Sequence, residues 1–169
     1  MQNENNYIAP ALARIGHVHL KVSDLDTSLA FYRDLLGFEL TMMYGDQAAF
    51  LSAGGYHHHI GLNTWHSKNS PRAEDHAVGL YHTAFLYPTR KDLAVILDRI
   101  RRADYALTGA SDHGVSEALY LDDPDGNGVE LYWDRPKDLW PQNPDGSLTM
   151  FTRPLDLQNL LMELDDKIG

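Results

Sequence analysis

The chain runs twice through one pattern, and that repetition limits the folds open to it more than any other feature. Residues 15–22 alternate as a strand, with Val18, Leu20 and Val22 on one face and His17 and His19 on the other. Asp24 is placed to cap a helix in which Leu25, Leu29, Tyr32 and Leu36 recur at helical spacing until Gly37 ends it. Residues 38–44, 48–53 and 57–65 then read as three short strands, parted by Gly45-Asp46 and Gly54-Gly55. After a polar, proline-bearing stretch at 67–79 the order restarts. Residues 80–87 form a strand, 92–102 a helix with Leu93, Ile96, Leu97 and Ile100 on its buried stripe, and 105–109, 117–121 and 129–133 three more strands. Superposed, the halves match His17 with His82, Leu20 with Phe85 and Asp24 with Thr89.

The expected architecture is α+β: two βαβββ modules, 15–66 and 80–134, pairing into a cupped mixed sheet around a metal site. A lead-in (1–14), the linker (67–79) and an extension (135–169) complete the chain. Each helix covers one face of its sheet, which leaves the opposite faces to form the cup. His17 and His82 point away from the helix-packed faces, so both imidazoles should enter it. The turn Asp123-Pro124-Asp125-Gly126-Asn127-Gly128 folds two strands into a hairpin, and alternation after it sets Glu130 opposite the apolar Val129 and Leu131.

A glutamate inside an apolar strand is costly unless paired, protonated or bound to a metal, although a wet edge strand is the ordinary alternative. The chain has no cysteine and nine histidines, so any metal site must use imidazole and carboxylate. Two imidazoles and one carboxylate from His17, His82 and Glu130 make a facial set suited to Fe(II), with Mn(II), Zn(II) and Ni(II) as competitors. A formal net charge of -10 turns away nucleic acid and anionic membranes, which points to a small-molecule partner. No apolar run approaches a spanning length and the first ten residues lack a signal-like pattern, so a cytoplasmic location is the default expectation.

From Arg14 to Trp133 the chain resembles the vicinal oxygen chelate superfamily of glyoxalases, bleomycin and fosfomycin resistance proteins and extradiol dioxygenases. The carrying residues are the run His17 to Leu25 with Ser28 and Phe31-Tyr32, then His82-Thr83-Ala84-Phe85, then Asp123 to Glu130. His113-Gly114, Tyr120 and the run His57-His58-His59 bring it nearest to catechol 2,3-dioxygenase-like proteins. That resemblance implies an Fe(II) ring-cleaving oxidoreductase acting on a catechol-like compound, with His113, Tyr120 and His58 orienting substrate and moving protons. Strand parity instead sends His57 and His59 into the cup. Two alternatives stand beside it. One is a glyoxalase-like isomerase, lyase or resistance transferase with a non-iron metal, in which His59 supplies a fourth ligand. The other is a drug-binding protein that is no enzyme. The resemblance also implies a homodimer. It departs from the two-domain dioxygenases in carrying a single domain. Trp140, Met150 and Phe151 are candidates for a pocket wall or a dimer interface, ahead of a short amphipathic helix over Leu155 to Leu164 with Glu163, Asp165 and Asp166 on its wet side.

Overall fold

Asp24 and Thr89 each stop a strand and start a helix, as their matched places in the repeat require. Asp24 accepts from the Thr27 amide and Thr89 from the Asp92 amide, so both helices begin with a side-chain cap. The computed structural model describes residues 7–74 and 76–165; Asp166 of the expected acidic face, and residues 1–6 of the lead-in, lie outside that range.

The first module is β1 (Val18–Lys21), α1 (Leu25–Leu29), β2 (Glu39–Tyr44), β3 (Ala48–Ser52) and β4 (Ile60–Asn63). The second is β5 (His82–Leu86), α2 (Arg90–Arg102), β6 (Gly109–Asp112), β7 (Ser116–Asp122) and β8 (Gly128–Asp134). Strand order is β1-β4-β3-β2 in the first sheet and β5-β8-β7-β6 in the second, so the repeat read from sequence is a repeat of topology. In each, the first strand lies parallel to the fourth, with Leu20 beside Leu62 and Ala84 beside Glu130. A short β9 (Arg153–Pro154) from the extension adds to the second sheet along β6, and α3 (Leu157–Leu161) follows.

One apolar cluster takes Leu20 and Leu62 from the first sheet, Leu119 and Leu131 from the second, and Tyr32, Leu93 and Leu97 from the helical segments. After α1, residues Ala30–Leu35 widen into a π-helical stretch, with the Leu36 amide reaching back to the Phe31 carbonyl. Phe31, Tyr32 and Leu35 all turn inward there. The opposite sheet faces are open. His17, His19 and Lys21 are exposed on the first, and Ala84 and Leu86 on the second.

Several element boundaries move, three of them for a visible reason. Strand β4 begins at Ile60 rather than at 57, because the turn at Gly54 and Gly55 runs on through the histidines and Thr41 Oγ1 donates to the His57 carbonyl. The strand expected at 105–109 starts instead at Gly109, since Tyr105 is drawn toward Phe31 and its hydroxyl donates to the Asp122 carbonyl. The helix of module two opens two residues early, at Arg90, where its Thr89 cap sets it. Among the described residues no helix is long and apolar enough to cross a membrane.

Candidate active site

Parallel pairing of β5 with β8 and antiparallel pairing of β7 with β8 bring three chemically active side chains to one open face. Tyr120 stands directly across from Glu130, and His82 lies two residues along β5, on the same face, from Ala84, the partner of Glu130. Gly128 allows the close approach, because a Cβ there would sit 2.2 Å from the Tyr81 carbonyl. His82 Nε2 lies 3.0 Å from Glu130 Oε2, with the two side chains 32% and 13% exposed. The Tyr120 hydroxyl is 3.1 Å from Glu130 Oε1 and 2.8 Å from His113 Nε2. The other ring nitrogen, His113 Nδ1, is 3.0 Å from the Phe151 carbonyl and 3.3 Å from Thr152 Oγ1. One polar run thus passes from His82 through Glu130 and Tyr120 to His113 and ends in the C-terminal segment. Burial, and next the Glu130 charge, push the Tyr120 phenol above its ordinary range, so it stays protonated and serves as a donor.

His82, His113, Tyr120 and Thr152 line a cleft of about 770 Å³, which Gly79 of the linker and Tyr81 also border. His82 Nδ1 is buried without a hydrogen-bond partner, which is costly for a polar atom. The His82 Nε2 and the Glu130 carboxylate beside it are a donor set that fits two corners of a divalent metal. The hydrogen bond from Tyr120 to the carboxylate is the kind of outer contact that orients such a ligand.

The first module carries a second cluster. His17 packs on His58 with ring centroids 4.4 Å apart, and His57 Nδ1 lies 2.7 Å from His58 Nδ1. His58 also meets Phe50, while His19 lies between Phe50 and Trp65. Burial and then the neighbouring imidazoles, His17 first, hold His58 below the ordinary imidazole range; burial and then His17 do the same to His19. His59 turns elsewhere: its Nδ1 meets Ser52 Oγ at 3.1 Å, and its ring borders another cleft, with Arg14, Phe38 and Phe85. So the structure joins His82, Glu130, Tyr120 and His113, and separately joins His17, His57 and His58. Among the described residues no three His, Asp or Glu side chains form a metal-holding group.

Of the candidate wall residues, Trp140 donates its indole N–H to the Arg135 carbonyl under Lys137, Met150 is exposed, and Phe151 packs at Gly114. Thr152, which sequence reasoning missed, is the extension residue that borders the cleft. No sequence signal marks it, because the backbone turn that delivers it depends on β9.

A duplicated βαβββ unit with imidazole and carboxylate on its open sheet faces defines a two-module chelate fold. Residues 14–131 match the Glyoxalase/Bleomycin resistance protein/Dioxygenase superfamily, and the chain belongs to it. It is 40% identical over 157 residues to a catechol-2,3-dioxygenase of Bacillus subtilis, covering 90% of this chain and 53% of that protein. It is 30% identical over 130 residues to the metallothiol transferase FosB of Staphylococcus epidermidis, covering 75% of this chain and 86% of that one. The crystal structure of a glyoxylase/bleomycin resistance protein/dioxygenase domain from Frankia sp. EAN1pec superposes with a TM-score of 0.61 at 26% identity, over 74% of this chain and all of that domain. The chain therefore spans about half the length of the catechol dioxygenase it matches.

Proposed function

We propose that the chain is a metal-dependent vicinal oxygen chelate enzyme of the extradiol type, which opens the ring of a catechol-like substrate with dioxygen as co-substrate. The observation that carries this reading is the hydrogen-bonded run His82–Glu130–Tyr120–His113, of which His82, Tyr120 and His113 line one cleft. His82 and Glu130, joined by His17, are the side chains to hold the ion, Fe(II) ahead of Mn(II), Zn(II) or Ni(II). When bound, such a metal supplies Lewis acidity to a chelating pair of substrate oxygens and, as iron, access to dioxygen chemistry. The protein's own part is proton handling and positioning. Tyr120 hydrogen-bonds a substrate oxygen, and His113 Nε2 takes the phenolic proton through the hydroxyl it already touches. The cleft holds the ring so that the reactants meet as one assembled complex.

A homodimer completes the ligand set in this reading. His17 lies on an open face with His58, away from the His82–Glu130 pair, and every residue of β2, Leu40, Met42, Met43 and Tyr44 included, is exposed. A second copy facing these surfaces supplies His17 to His82 and Glu130 across a twofold axis, and reciprocally, as closed symmetric dimers do.

The test is oxygen uptake by protein loaded anaerobically with Fe(II) and given a panel of catechols. One dioxygen consumed per catechol, lost in His82→Ala and Glu130→Gln, is the expected result; an iron-loaded protein that leaves every catechol and all the oxygen untouched sinks the reading. A second reading, metal-dependent thiol transfer, draws support from the FosB match, which spans most of that protein's length. It predicts thiol consumption without oxygen uptake, using Mn(II), Zn(II) or Ni(II).

A further inference from the structure

The C-terminal extension reaches back to the cleft at one point, and its contact there is with a ring nitrogen. The Phe151 carbonyl lies 3.0 Å from His113 Nδ1, and a carbonyl oxygen only accepts hydrogen bonds. The Nδ1 of His113 must therefore carry hydrogen; a bare nitrogen would set two lone pairs against each other. In the uncharged ring that leaves Nε2 bare, 2.8 Å from the Tyr120 hydroxyl. A phenol has one hydrogen to give, and Tyr120 has two acceptors within reach: His113 Nε2 at 2.8 Å and Glu130 Oε1 at 3.1 Å. The bare nitrogen, the nearer of the two, competes with the carboxylate for that hydrogen.

The carbonyl is held in place from several sides. The Phe151 amide donates to the His113 carbonyl, and β9 pairs Arg153 with Asp112 and Pro154 with Ser111. The Arg153 guanidinium sits 4.1 Å over the Phe151 ring. The ring itself occupies a notch that exists because residue 114 is glycine: Gly114 has φ +80, and a Cβ there would lie 2.7 Å from the ring.

We infer that the segment at Phe151 and Thr152 is a positioning element that fixes which nitrogen of His113 carries hydrogen, leaving Nε2 bare toward Tyr120. Its catalytic consequence rests on the proposed role of His113 as proton acceptor, but the tautomer itself can be read without turnover. Long-range ¹H–¹⁵N correlation on histidine-labelled protein at about pH 9, where an ordinary imidazole is uncharged, distinguishes the two forms. The unaltered protein should show His113 hydrogen on Nδ1. Phe151→Ala, which frees the segment, should give a mixture of tautomers, and Phe151→Leu, which refills the notch, should restore the single form. In the iron-loaded enzyme Phe151→Ala should lower kcat about tenfold with KM changed by less than about twofold, a part of the roughly 10²–10⁴-fold a positioned proton acceptor supplies. Hydrogen found on Nε2 in the unaltered protein, or a Phe151→Ala protein that keeps Nδ1–H, overturns the inference. If no catechol is turned over, the proposed activity fails while the tautomer result still decides this point.

Discussion

Tyr32 is 1% exposed, and its hydroxyl donates to Asp123 Oδ2 at 2.9 Å, tying the first module to the β7–β8 turn of the second. Asp123 organises that turn by accepting from the amides of Asp125 and Asn127 and from the Asn127 side chain. Burial pushes its carboxyl above the ordinary range, and the Tyr32 bond is one of the contacts that offset this. Tyr32→Phe should therefore cost about 1–3 kcal/mol, the penalty for leaving a buried acceptor short of a donor. The pH dependence follows from the raised native value. Asp123 opposes folding most when ionised, so the deficit of Tyr32→Phe is full where Asp123 is ionised in both folded proteins and shrinks as pH falls through that raised native value, the unfolded value being common to both and cancelling. Urea midpoints of the two proteins at neutral and acid pH check both parts; a Tyr32→Phe protein as stable as its parent at neutral pH contradicts them.

At the scale of elements, Glu117 of β7 is 4% exposed and lies between two guanidinium groups, Arg90 at 2.8 Å and Arg135 at 2.7 Å. Arg90 opens α2 and also holds Glu163 and Asn159, so this one carboxylate joins sheet, helix and extension. Glu117→Gln should destabilise by less than the roughly 3–5 kcal/mol of a broken buried pair, since Arg90 keeps Glu163 and Arg135 keeps Asp112. A lowered thermal midpoint with loss of α3 protection in hydrogen exchange is the expected observation; unchanged exchange at α3 argues against the linkage. None of this network is legible in the sequence, because its members are distant in the chain and match no period. What was legible is what repeats. The caps at Asp24 and Thr89, the alternation that aims Glu130 away from Val129 and Leu131, and the turn at Asp123 are local, and local chemistry fixes them. The histidine run at 57–59 failed as a strand because turn geometry, unlike alternation, depends on positive φ at Gly54 and Gly55. The contact between His113 and residue 151 is hidden for another reason: a backbone carbonyl carries no residue identity.

At the scale of the whole molecule, the repeat delivers matched imidazoles, His17 and His82, to two different open faces, and among the described residues His82 is the one with a carboxylate in ion-pair reach. Under the proposed function each chain then holds two thirds of one ligand set and one third of another. That division makes a prediction which neither a self-sufficient monomer nor a metal-free binder shares. His17→Ala and Glu130→Gln proteins, each inactive alone, should regain activity when unfolded together and refolded as a mixture. Random pairing of equal amounts places half of all chains in mixed dimers, each with one intact site of its two, so roughly a quarter of the unaltered activity and iron content should return. His82→Ala mixed with Glu130→Gln should recover nothing, because both losses fall on the same side of the interface: one site of the mixed dimer lacks His82 and the other lacks Glu130. Sedimentation of the unaltered protein should give a dimer. No recovery in the first mixture when mixed dimers have formed would show that a single chain assembles its own site, and recovery in the second would show that one site takes His82 and Glu130 from different chains.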